Sequence, residues 1–259
     1  MVETRTNMEA MNTFEWMVFA WMGLGVITFF YLLTQAAPYG RHNRGGWGPQ
    51  MPNRWAWVWM EAWVLLILYG GLNLWGFRWA GPELFMVVLF SLHYVHRSFV
   101  FPFRIKSKGK KMPVLIMLSA MVFNSVNGGF LSYHFSHRQY ATDWYLSALF
   151  VLGACLFFVG AAINIWSDYK LIGLRKEGET GYKIPGGGLF EWMSCPNLFG
   201  EMVEWLGFAL MVWDWAAWSF WVWTLANLVP RALAHHAWYQ KTFDTYPKKR
   251  GALWPRFGK

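Results

Sequence analysis

The stretch Gly160–Gly207, GAAINIWSDYKLIGLRKEGETGYKIPGGGLFEWMSCPNLFGEMVEWLG, decides how this chain is built. It leaves one apolar run, crosses a loop rich in glycine and charge, and enters another apolar run. Asn164, Asp168, Arg175, Tyr182, Lys183, Asn197, Glu201 and Glu204 all lie within it. Polar groups set into apolar helices are costly in lipid and mark functional positions. The stretch therefore reads as two membrane helices joined by a loop that carries a site.

The rest of the chain agrees. It has 259 residues, 56% hydrophobic, and its charged fraction is only 14%. A soluble domain carries about a quarter charged residues. Twenty tryptophans, 22 phenylalanines and 11 tyrosines suit interfacial belts, and some can line an apolar pocket. Seven apolar segments stand out, at Phe14–Thr34, Trp57–Trp75, Leu84–Phe101, Val114–Tyr133, Tyr145–Ile165, Leu198–Trp213 and Ala216–Leu233. The sixth is the shortest, and with the seventh it reads alternatively as a tight helical hairpin. The expected fold is an all-α, multi-pass membrane bundle with seven transmembrane helices. It forms one domain over residues 1–259, helices 1–3 within 1–110 and helices 4–7 within 111–259. A signal peptide is not expected, because acidic Glu3, Glu9 and Glu15 precede a first run long enough to span. No long repeat supports an inverted-repeat transporter.

Charge gives the orientation. All 23 Lys and Arg except Arg5, Arg78 and Arg138 fall on the side that holds the first, third and fifth connections and the C-terminus. The rule that basic loops stay inside puts the C-terminus in the cytoplasm and the N-terminus outside or in a lumen. The net charge of +9 is mostly this bias and needs no nucleic-acid partner. Two cysteines, Cys155 and Cys195, make neither a disulfide framework nor a metal set, so no metal is expected. Gly186–Gly188 is no nucleotide fingerprint by itself, since no strand precedes it.

With that topology the intramembrane polar residues share one depth. Glu61 lies seven residues past Arg54, about 10 Å in from the cytoplasmic end. Tyr94 is one turn before Arg97. Asn164 and Asp168 close the fifth helix, while Asn197, Glu201 and Glu204 open the sixth. Arg231, His235 and Tyr239 are spaced i, i+4, i+8 on one face of the seventh. Groups from different helices converge on a pocket open to the cytoplasm. Blander roles remain for several: an interhelical pair for Glu61, a belt position for Tyr94, loop hydrogen bonds for Glu201 and Glu204, interhelical contacts for Asn124 and Asn127.

Three motifs then carry a resemblance. Ile163–Leu210, the tail Arg231–Phe257 (RALAHHAWYQKTFDTYPKKRGALWPRF) and LHYVHRSFVFPF at Leu92–Phe103 resemble the steroid 5α-reductases, over about Tyr39 to the end. The resemblance implies seven transmembrane helices, NADPH, and reduction of a 4-ene-3-oxo steroid or sterol-like lipid taken from the membrane. It assigns Glu61 in WMEAW and Tyr94 as the catalytic pair. It assigns Arg97, Asn164, Asp168, Arg175, Tyr182, Lys183, Asn197, Glu201, Arg231, His235 and Tyr239 to the cofactor. Trp57, Phe123, Trp205 and Phe220 are assigned to the steroid. Met60 stands where the animal enzymes have Gln, Ala62-Trp63 where they have a nearby Pro, and Asn227 where their pocket is aromatic. The first span does not match.

Reducing an enone builds negative charge on its carbonyl oxygen, and a donor aimed there stabilises the transition state. A tyrosine hydroxyl suits this. A carboxyl among Trp57, Trp59 and Trp63 is disfavoured as an anion, so Glu61 is expected as a neutral second donor. Competing readings are a polyprenol or enoyl reductase, a methyltransferase of the isoprenylcysteine type using S-adenosylmethionine, and a non-enzymatic sterol-binding membrane protein. A monomer is expected. The C-terminus lacks a KDEL-type or dilysine signal, which favours a bacterial inner membrane over the endoplasmic reticulum.

Overall fold

A computed structural model describes residues 12–106, 109–176, 179 and 181–254. Arg5, Lys108, Arg256 and Lys259 of the charge count lie outside them, as do Glu3 and Glu9. Within them the chain is helical: α1 (Thr13–Thr34), α2 (Asn53–Leu74), α3 (Gly81–Val95), α4 (Phe101–Arg104), α5 (Val114–His137), α6 (Ala148–Gly173), α7 (Pro196–Val212) and α8 (Trp215–Thr242). A π-helical turn, His96–Val100, joins α3 to α4, so that Gly81–Arg104 forms one rod. Five helical rods are long and apolar enough to cross a membrane: α1, α2, Gly81–Arg104, α5 and α6. The last two of the seven expected segments form a hairpin, α7 turning into α8 through Trp213 and Asp214.

Local chemistry starts and stops these helices. Asn12 and Glu15 form a capping box at α1, Ser147 accepts from the Phe150 amide at α6, and Asp214 accepts from the Ala216 amide at α8. Pro82 and Pro196 occupy first-turn positions, where a missing N–H costs nothing. Trp213 ends α7 with φ 48°, a left-handed conformation in a bulky residue, held because Trp213 N still bonds Ala209 O.

Two helices run further than hydropathy suggests. α6 continues past Asn164 and Asp168 to Gly173, and α8 past Leu233 to Thr242. Side chains that find partners on neighbouring helices keep their backbone helical. One feature was not expected at all. β1 (Gln50–Pro52) and β2 (Lys111–Pro113) pair antiparallel, Met51 opposite Met112. This ribbon ties the start of α2 to the start of α5.

The core is an aromatic layer that includes Phe90, Tyr94, Phe135, Phe157, Trp205, Phe208 and Phe220. α6 and α7 approach most closely, through Gly153 and Gly160 against Gly200 and Gly207. A Cβ built at Gly153 would lie 2.6 Å from Gly207 O, and one at Gly160 would collide with the Glu204 backbone. Spacing i, i+7 on both helices puts these glycines on one seam. The seam sets Asn164 and Asp168 against Asn197 and Glu201. The connections segregate to two ends. Tyr39–His42, the β-ribbon, Ile105, Lys106, Gly109, Lys110, Arg175, Tyr182 and the last turns of α8 gather at one. Phe14, Trp75, Tyr133, Tyr140, Trp144 and the α7–α8 turn gather at the other.

Candidate active site

Arg97 anchors an inner polar group. It sits in the π-helical turn, a feature that often marks function. Its Nη1 donates to Asp168 Oδ2 at 3.0 Å, and both residues are buried. Asn197 Nδ2 donates to Asp168 Oδ1 at 2.9 Å. Asn164 Nδ2 donates to Asn197 O at 2.9 Å and to Glu201 Oε2 at 3.2 Å. Trp57 and Phe101 cover the Arg97 guanidinium at 5.1 and 4.4 Å. The structure thus brings together Arg97, Asn164, Asp168, Asn197 and Glu201 from three separate helical segments.

Glu61 and Tyr94 border this group. Arg97, Glu201 and His93 are within electrostatic range of Glu61, and Glu61 and Glu201 within range of Tyr94. Glu61 is half-buried on α2 and Tyr94 is buried on α3. Neither the Glu61 carboxyl nor the Tyr94 hydroxyl has a hydrogen-bond partner among the described residues. Both groups are therefore free to hydrogen-bond a ligand, and each lies within electrostatic range of the other. The three tryptophans do not surround Glu61 as expected. Trp57, one turn earlier, shares its face, but Trp59 is exposed and Trp63 donates to Ser125 Oγ at 2.8 Å. Residues two apart on a helix face different ways.

Aromatic rings wall the space beside Tyr94. Trp205 lies 5.9 Å from it and 4.6 Å from Phe220, while Phe123 lies 6.1 Å from Phe220 and 5.5 Å from Trp223. Phe123, Trp205 and Phe220 therefore stand together, while Trp57 belongs to the Arg97 group. Asn227 is exposed and bonds Trp223 O, outside this wall. Of the two other asparagines, Asn124 bridges α5 to α2 through Met60 O, whereas Asn127 bonds back to Phe123 O within its own helix.

The outer group surrounds a cavity of about 530 Å³ lined by Arg41, Asn53, Lys106, Lys110, Lys111, Arg175 and Tyr182, among others. Asn53, Trp57 and Glu61 follow one another at i, i+4, i+8, so one face of α2 leads from this cavity to the carboxyl. Arg41 lies against the rings of Tyr182, Trp238 and Tyr239 at 4.9, 4.8 and 4.6 Å. Lys110 Nζ donates to Tyr182 Oη at 3.2 Å, and Lys106 donates to Arg175 O. Arg231 covers the Tyr39 ring at 3.7 Å and donates to Ala37 O and Tyr39 O. His235 shares a 2.9 Å hydrogen bond with His42. Burial, then Arg231, Arg41 and Arg44, lowers the His42 pKa to about 4, so this pair is neutral at pH 7.

Arg41 Nη1 and Arg175 Nη1 are buried without a partner. Orphaned guanidinium nitrogens in a cationic cavity fit an anionic oxygen, and arginine forks match phosphate. Arg41, Lys106, Lys110 and Lys111 escaped the sequence reading, because their flank lies beside the unmatched first span or in a run read as topological. Lys183 is placed elsewhere. It pairs with Glu179 at 2.7 Å, half exposed, and does not line the cavity. The Lys183 hydrogen bond is the main reason the Glu179 carboxyl sits below its ordinary range. Glu204 bonds His93 rather than the loop. Cys195 is buried against α8, and burial pushes its thiol up to about 12, which leaves it unreactive.

The family described as 3-oxo-5-alpha-steroid 4-dehydrogenase matches residues 110–257. The chain is 42% identical to bovine 3-oxo-5-alpha-steroid 4-dehydrogenase 1 over 90% of its length and 92% of the relative's. It is 39% identical to the steroid 5-alpha-reductase DET2 of Gossypium hirsutum, over 88% and 91%. It is 40% identical to human 3-oxo-5-alpha-steroid 4-dehydrogenase 1, over 84% and 85%.

Proposed function

This chain belongs to the 3-oxo-5-alpha-steroid 4-dehydrogenase family, and from that premise we propose that it reduces the C4–C5 double bond of 4-ene-3-oxo steroids to 5-alpha-3-oxo steroids with NADPH. The observation that carries this reading is the unpartnered Tyr94 hydroxyl and Glu61 carboxyl, set between an aromatic wall and a polar network that leads to a cationic cavity.

Tyr94 donates to the steroid 3-oxo oxygen, and Glu61, held neutral, donates to the same oxygen. Both strengthen as negative charge gathers there, which is where hydrogen bonds accelerate reaction most. Phe123, Trp205 and Phe220 hold the apolar rings and exclude water. NADPH, when bound, would supply the hydride that C5 receives, and a proton taken up from solvent would add at C4 to complete the reduction. Asn164, Asp168, Asn197, Glu201 and Arg97 hold its polar groups on the inner side. Arg175, Arg41 and the lysines of the cavity meet its phosphates, with Tyr182, Arg231, His235 and Tyr239 around them.

The direct test is to purify the protein in detergent, denature it, identify the released nucleotide, and measure turnover of testosterone or progesterone. Release of S-adenosylmethionine, or an inert protein carrying bound steroid, would favour the methyltransferase or binding-protein reading.

The working unit is one integral membrane domain, acting as a monomer, that crosses seven times with its C-terminus in the cytoplasm. Segregation of the connections to two ends supports this, with the basic residues concentrated at the cavity end. Reporter fusions at both termini should fall on opposite sides; two cytoplasmic termini would exclude seven crossings.

The cavity's cations favour NADPH over NADH, because the 2′-phosphate adds charge for them to meet. Arg175→Ala should raise the KM for NADPH by about tenfold, the loss of one charge-assisted hydrogen bond, and that for NADH much less. Arg41→Ala should behave likewise. Equal effects on both nucleotides would move these arginines from the 2′-phosphate to the pyrophosphate.

A further inference from the structure

His93 and Glu204 face each other across the interface of α3 and α7, and no step above uses them. His93 Nδ1–H donates to Glu204 Oε1 at 2.7 Å, with both side chains almost fully buried. A buried pair of this kind is weak evidence for stability, since apolar side chains of similar volume often do as well. Its position is the informative part. Among the described residues it is the only side-chain hydrogen bond between α3 and α7. The His93 ring stands edge-on to Trp205 at 4.6 Å and to Tyr94 at 5.2 Å. Tyr94 follows His93 in the chain, Trp205 follows Glu204, and Glu201 lies one turn before Glu204 on α7.

We propose that His93 and Glu204 are positioning residues that hold Tyr94 in register with the ligand-holding face of α7. The proposal rests on the reductase reading above. Apolar contacts between helices tolerate sliding, whereas a short hydrogen bond between two buried groups does not. α3 carries the donor for the substrate oxygen, and α7 carries Glu201 of the inner polar group together with the wall residue Trp205. The bond therefore fixes the distance that hydride transfer depends on. A displacement of about 1 Å at such a distance costs about 10²-fold in rate. Glu204 Oε2 is buried and unpartnered, so a single oxygen makes the tie and an amide oxygen can replace it.

The test uses the full-length protein in detergent with testosterone and NADPH. Glu204→Ala and His93→Ala should each lower kcat by about 10²-fold, while bound nucleotide per protein and the KM for NADPH stay close to wild type. Glu204→Gln, which still accepts from His93, should recover most of kcat. In a Tyr94→Phe background, Glu204→Ala should add little, because a residue acting through Tyr94 has nothing left to position. An active wild type with an unaffected Glu204→Ala overturns the proposal and leaves the reductase reading intact. So does a loss of turnover that merely tracks lost nucleotide, or a full additive loss in the Tyr94→Phe background. A wild type that turns over no 4-ene-3-oxo steroid while retaining NADPH strikes the reductase reading, and the pair's role with it.

Discussion

Tyr94→Phe is expected to remove most steroid turnover while leaving the nucleotide bound. The hydroxyl has no hydrogen-bond partner among the described residues, so its loss orphans none of them and opens only a small space beside Phe90 and Trp205. The fold should therefore survive. What disappears is a donor aimed at developing charge, which typically costs about 2.7–4 kcal/mol of barrier, or roughly 10²–10³ in rate. Glu61→Gln should be milder, because an amide still donates. Since both groups act on one oxygen, the double variant should be far less than multiplicatively worse than either single one. Single-turnover rates with testosterone or progesterone, alongside the nucleotide content of each variant, measure this. Near-wild-type turnover by Tyr94→Phe refutes the assignment, and equal nucleotide loss in both variants would make the two residues supports of the fold.

Much of this site can be read from the chain before any coordinates, and the reason is lipid. A carboxyl at position 61 and an Asn-Asp pair at 164 and 168 stand out because an apolar helix offers them no water. Their common depth then follows from rise per residue and charge bias alone. What stays hidden is which group meets which. Glu204 and Glu201 look alike in sequence, one turn apart. The partner that separates them, His93, comes from another helix 111 positions away. Lys183 is assigned to the cofactor by the resemblance, yet its ammonium pairs with Glu179 and stands outside the cavity lining. Arg41 reads as one topological charge among many, and only the fold brings Tyr182, Trp238 and Tyr239 around it. Helix ends go wrong for a related reason. Hydropathy falls at Asn164 and beyond Leu233, but helices end where backbone partners run out.

Asp168→Ala is expected to be the most damaging single substitution in the inner polar group. Asp168 and Arg97 are 5% and 8% exposed, with their charged atoms 3.0 Å apart. Removing the carboxylate takes the ion-pair partner from a buried guanidinium, which keeps the Trp57 and Phe101 rings and the more distant Glu201 and Glu61 carboxyls, and leaves Asn197 Nδ2 without its acceptor. Breaking one side of such a pair costs about 3–5 kcal/mol, against a total of about 5–15 kcal/mol for a typical folded protein. Apparent melting temperature in detergent should fall steeply, and retained nucleotide should be lost. Asp168→Asn keeps an oxygen for Asn197 but no charge for Arg97, so it should fall between. The double variant Arg97→Met with Asp168→Leu separates stability from binding. With both charges gone and the volume kept, it should melt close to wild type yet still fail to retain NADPH, since Asp168 and Arg97 also hold the cofactor's polar groups. If Asp168→Ala melts like wild type, the pair does not bear on stability. If the double variant retains NADPH, the pair serves the fold and the cofactor is held by Asn164, Asn197 and Glu201 without it.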